Sequence, residues 1–91
     1  MLSREERIQE LYQVLADVKT PEDCKLLLDD LCTAKEVEKM AERIYAARLL
    51  MEGKTYNQVM EEADISSATL SRVSRCVQYG QGYVKVLKPK Q

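Results

Sequence analysis

The sequence predicts an all-α protein, and three observations carry that reading. Apolar residues recur at spacings of three and four along nearly the whole chain, the period of a helix with one buried face. No stretch alternates apolar and polar residues as a half-buried strand would. Helix-start signals recur between the apolar runs, each a Ser or Thr followed three residues later by a side chain or backbone it can bond.

Each element follows from its own residues. Ser3 with Glu6 is a capping box, so a first helix begins there, with Ile8, Leu11, Tyr12, Leu15 and Val18 on one stripe. Thr20 supplies an N-cap, Pro21 fits the first helical position, and Glu22 and Asp23 suit the positive end of the helix dipole. A short second helix follows, with Cys24, Leu27, Leu28 and Leu31 on one face. Thr33 with Glu36 opens a third helix, expected from Ala34 to Glu52. Its stripe of Val37, Met40, Ile44, Ala47 and Met51 alternates steps of three and four, as a coiled-coil seam does. Ala41, Tyr45, Leu49 and Leu50 widen that apolar face beyond what one neighbour covers. In a chain of 91 residues the natural second cover is another copy, so a homodimer is expected. Gly53 ends the helix.

Thr55 with Gln58 opens a further helix, and Ser66 caps the next one. Gly80 stops that last helix, and Gly80-Gln81-Gly82 reads as a flexible turn. The division expected is a single domain over residues 1–91: helices for dimerisation over 3–53, a helix-turn-helix over 55–79, and a basic tail over 80–91. The sequence does not fix whether that tail is ordered.

Composition removes several function classes. Histidine is absent and no Cys-x-x-Cys pair exists, so the usual metal ligands and the commonest general base are lacking. Neither a cofactor, a metal site nor an enzyme is expected. Cys24, Cys32 and Cys76 read as free thiols in a reducing compartment. No run of about 18 apolar residues exists, and the charged start Met1-Leu-Ser-Arg-Glu-Glu6 is unlike a signal peptide. A cytoplasmic protein with no membrane partner is therefore expected.

The net charge of −1 hides a split. Residues 1–64 hold nine Lys and Arg against fifteen Asp and Glu, a balance of −6, whereas residues 65–91 hold five Lys and Arg and no acid, +5. Attraction to phosphate is thus confined to the segment that opens with the second half of the helix-turn-helix.

Residues 56–75 carry the function. Val59, Met60 and Ala63 anchor the first helix, and the small Ala63 permits a close crossing. Asp64 stands at the turn, where a residue tolerant of positive φ is needed. Ile65 plugs the angle, and Leu70 and Val73 face inward. Ser66, Ser67, Ala68, Thr69, Ser71, Arg72 and Arg75 are left as candidate DNA contacts. Short side chains at the start of a recognition helix allow close approach to base edges, and arginines pair guanine or phosphate. The partner implied is double-stranded DNA. A helical hairpin serving as a protein-interaction module, or a transposase-like DNA-binding fragment without effector control, fits the same pattern.

Over roughly residues 8–79 the chain resembles the Trp repressor-like superfamily, in particular its YerC/YecD, TrpR-related bacterial branch. Arg43-Ile-Tyr-Ala-Ala-Arg-Leu-Leu-Met-Glu-Gly53 and Ala68-Thr-Leu-Ser-Arg72 carry the resemblance. It implies an intertwined all-α homodimer that acts as a transcriptional repressor on palindromic operators. It also implies an amino-acid corepressor held by two arginines and by a residue at the start of the third helix, which correspond here to Arg43, Arg72 and Thr33. Val73 stands where the family has a small residue, and Cys76 where the pocket has a serine. The extra C-terminal helix that closes the family dimer has no counterpart in this reading. These departures leave open whether the effector is tryptophan, another amino acid such as histidine, or absent.

Overall fold

The computed structural model describes residues 1–88. All regular structure among them is helical: α1 (Arg4–Asp17), α2 (Pro21–Leu31), α3 (Ala34–Met51), α4 (Tyr56–Ala63), α5 (Ser67–Tyr79) and α6 (Gly82–Val86). Residues 89–91, the end of the expected basic tail with Lys90, lie outside the described residues. The chain divides into two compact units, Met1–Ala34 and Lys35–Gln91.

In the first unit the expected caps form. The Ser3 hydroxyl accepts from the Glu6 N–H at 3.1 Å, and the Ser3 N–H donates to the Glu6 carboxylate at 2.9 Å. That N–H···O bond, reinforced by the Ser3 side chain, holds the Glu6 carboxyl below its ordinary pKa. Thr20 caps α2 through the Asp23 N–H at 3.1 Å, with Pro21 at its first position. Neither α1 nor α2 contains a buried residue. Tyr12 is 56% exposed, and Leu11, Val14, Leu15, Leu26 and Leu31 are also exposed.

The second unit holds the core. Ala46, Ala47 and Leu49 of α3, Val59 and Ala63 of α4, Ile65 of the turn, and Leu70 and Val73 of α5 are buried, with Leu87 after α6. The face of α3 that packs inside this unit is not the full seam the sequence suggested. Ala46 is fully buried, whereas Ile44 of the seam is 44% exposed. Ala46 and Ala47 are buried with the larger Leu49, and Ile44 and Tyr45 remain uncovered in the single chain.

Gly53 closes α3 with φ +93°. The Gly53 N–H bonds the Leu50 carbonyl at 3.0 Å and the Lys54 N–H bonds the Leu49 carbonyl at 3.1 Å, the paired pattern of a Schellman turn. Thr55 and Gln58 then form the capping box of α4, at 2.9 and 3.2 Å.

Residues 82–86 form a helix where the sequence comparison offered no C-terminal helix and the tail's order was open. The Gly80 N–H still bonds the Cys76 carbonyl, and the chain then turns back so that Tyr83 and Leu87 pack on the core.

Candidate nucleic-acid interface

The geometry of α4, turn and α5 is set by one residue with an unusual backbone. Asp64 is the sole non-glycine residue with positive φ among the described residues, at φ 51° and ψ 49°. A short carboxylate side chain is among the few that accept this left-handed conformation, and it turns the chain sharply between the two helices. Ile65, 5% exposed, fills the angle. Ser66 caps α5 by accepting from the Thr69 N–H at 3.2 Å, and its hydroxyl donates to the Thr69 hydroxyl at 3.0 Å. Leu70 and Val73 bury one side of α5 against Val59 and Ala63.

The opposite side of α5 is open. Ser66, Ser67, Ala68, Ser71, Arg72 and Arg75 are exposed, and Thr69 is half-buried. The hydrogen bond from Ser66 fixes the Thr69 side chain, so these two act as a capping pair at the helix start. Arg72 and Arg75 form no ion pair among the described residues, so both guanidiniums are available to an anion. Tyr79, one turn beyond Arg75, is 82% exposed and lines a shallow groove with Arg72, Arg75, Cys76 and Gly80.

A second, more enclosed cavity of about 540 Å³ lies on the other flank of Arg72, lined by Arg43, Ala68, Thr69, Arg72, Val73, Cys76 and Tyr83. It brings together three of the four residues singled out for an effector: Arg43, Arg72 and Cys76. Thr33 belongs to the first unit and is not a lining residue of this cavity. Arg43 also lacks an ion pair among the described residues; of its acidic neighbours on α3, Glu42 pairs with Lys39 at 3.7 Å. Two guanidiniums that line one cavity and have no carboxylate partner among the described residues favour an anion. Tyr83 escaped the sequence reading because it lies past two glycines in a segment with no periodicity to follow. Its spacing of four from Leu87 was the available signal.

Among the described residues no cluster of His, Cys, Asp or Glu could hold a metal ion, and no helix is long and apolar enough to cross a membrane. All three cysteines are free and half-buried.

Residues 6–91 match the family described as Trp repressor protein. The chain is 40% identical over 77 residues to the uncharacterised protein YerC of Bacillus subtilis strain 168, covering 85% of this chain and 74% of that protein. Among solved structures it resembles a candidate Trp repressor of Staphylococcus aureus, with a TM-score of 0.84 and 33% identity over 89% of this chain and 82% of the other. A TrpR-like protein of Eubacterium eligens ATCC 27750 gives the same TM-score at 31% identity, over 90% and 86%. The capped, Asp64-turned helix pair, its arginine-bearing open face and these likenesses agree: the chain belongs to the Trp repressor family of helix-turn-helix DNA-binding regulators.

Proposed function

We propose that the protein is a sequence-specific transcriptional repressor that binds palindromic operators as a homodimer. The observation that carries this is the open face of α5: exposed small side chains at its start, then two arginines without ion-pair partners among the described residues. The small residues admit close approach to base edges in the major groove, and Arg72 and Arg75 supply bidentate contacts to guanine or phosphate. Ser66, Ser67, Ala68, Thr69, Ser71, Arg72 and Arg75 make up this surface.

The dimer is supported by apolar surface that has no cover within either unit. Leu11, Tyr12, Val14 and Leu15 on α1 and Ile44 and Tyr45 on α3 are all exposed. Apolar groups in such number are better accounted for by a partner than by water.

Arg43, Arg72 and Cys76 are proposed to hold a small carboxylate, an amino acid by family likeness, as effector. Arg72 flanks both that cavity and the outer groove, so occupancy of one side shifts the population of conformations available on the other.

Gel-shift titration against duplexes carrying promoter palindromes tests the reading. A salt-sensitive, sequence-dependent shift is expected. Absence of any shift, together with capture of a protein partner through the α4–α5 surface, would instead establish an interaction module.

A further inference from the structure

We propose that α6 is a strap closing the cavity between Arg43 and Arg72, and that Tyr83 on the strap decides how large an anion the cavity admits. The selecting role rests on the effector reading above; the strap itself does not.

The strap's attachment is local and slight. α6 has five residues and no side-chain cap, too short to persist on its own propensity. Tyr83 and Leu87, four residues apart and so on one face, hold it to the core. Leu87 is 9% exposed, while Val86 on the other side is 78% exposed. Inside the strap the Lys85 N–H bonds the Gln81 carbonyl at 3.0 Å and the Leu87 N–H bonds the Tyr83 carbonyl at 2.8 Å. A unit fixed by two side chains belongs to the low end of the local-stability range, and it opens before the rest of the core.

The strap's hinge is just as specific. A Cβ on Gly80 would stand 2.7 Å from the Cys76 carbonyl oxygen, which already accepts the Gly80 N–H at 2.9 Å. The chain can double back there only because Gly80 lacks a side chain. Gly82, two residues on, meets nothing within 4 Å. The returning segment carries Tyr83 to the cavity wall opposite no acid, beside Arg43, Arg72 and Cys76. A phenol there takes volume from any ligand side chain and offers one hydroxyl to it. Lifting the strap removes that wall and bares the cavity side of Cys76, whose other side lines the outer groove.

Cys76 is therefore a built-in reporter, and the two glycines give a matched pair of variants. Alkylation by iodoacetamide of the full-length protein, followed cysteine by cysteine by mass spectrometry, measures strap opening. Gly80→Ala and Tyr83→Ala are expected to speed labelling of Cys76 about tenfold and to leave Cys24 and Cys32 unchanged. Gly82→Ala, at the start of the helix, is expected to leave all three rates unchanged. Equal Cys76 rates in all four proteins overturn the strap, and so does parallel acceleration at Cys24 and Cys32, which is general loosening.

Calorimetry with each of the twenty amino acids then compares the wild type with Tyr83→Ala. A gain of roughly tenfold for the bulkier side chains over the smaller is expected in the variant. An unchanged order of affinities overturns Tyr83 as the selector. Binding by neither protein removes the effector reading and the selecting role with it, while the strap is still judged by the labelling.

Discussion

Arg75 and Thr69 face different tasks on the same helix. Arg75 is exposed and carries no ion pair among the described residues, so in the proposed function its charge serves phosphate whatever the sequence. Arg75→Ala is expected to weaken binding to all duplexes and to reduce the slope of log affinity against log salt by about one, read by fluorescence anisotropy over a salt series. Thr69 is positioned by the Ser66 hydroxyl near the start of the helix, where the proposed function has base edges read. Thr69→Ala is expected to change the order of preferred sequences, by about 1–3 kcal/mol at the position it reads, with little change in salt slope. Asp64 bears on the same surface through the backbone. Its φ of 51° is open to glycine and hostile to β-branched side chains. Asp64→Val should cost about 1–2 kcal/mol in urea unfolding, and Asp64→Gly close to nothing. The positive φ of Asp64, the exposure of Arg75 and the Ser66–Thr69 cap were legible in the sequence because each depends on a side chain and its near neighbours. Tyr83 was not, because the sequence marks a turn at Gly80-Gln81-Gly82 but does not say where the chain beyond it packs.

Helix starts were the most legible elements, because a cap is a contact between residues three apart. Ser3–Glu6, Thr20–Asp23, Thr55–Gln58 and Ser66–Thr69 all form as the sequence indicated. Thr55→Ala is expected to lower stability by about 1 kcal/mol, measured by chemical denaturation. The Ser3–Glu6 box adds a pH dependence with a definite sign. Glu6 titrates lower in the folded protein than in the unfolded chain, so its contribution is fully present above the ordinary glutamate range. It fades as the pH falls through that range to the lowered value. Glu6→Gln keeps the box's geometry without the charge, so its stability difference from the wild type should shrink in acid. The buried face of α3 was less legible. Its apolar residues cover more than one side of the helix, and period alone does not say which side packs within the chain. Ala46, Ala47 and Leu49 took the interior and Ile44 stayed exposed, a choice of side that only the packing within the unit makes. The strap α6 was missed for a related reason. Five residues with two anchors are a tertiary outcome, and propensity at that length decides nothing.

At the scale of the whole molecule, charge and apolar surface divide the work. The balance of −6 over residues 1–64 and +5 over residues 65–91 turns only the later part of the chain toward phosphate. The apolar face of α1, in which no residue is buried, is the proposed dimer surface. Sedimentation equilibrium should give twice the chain mass, and Leu15→Glu on that face should shift the protein toward monomer and weaken operator binding together. In the proposed dimer, two copies of α5 on a two-fold axis set the geometry of the site. In helix-turn-helix dimers of this kind, Trp repressors included, the half-sites lie about 34–36 Å apart, one turn of DNA. Selection from a random duplex library with the full-length protein reads both the recognition helix and its pairing at once. Enrichment of a two-fold symmetric sequence with half-sites about one helical turn apart, abolished in Arg72→Ala/Arg75→Ala, is the expected result. Enrichment of no sequence, or of a single asymmetric half-site bound by one chain, would contradict a dimer that reads DNA through α5.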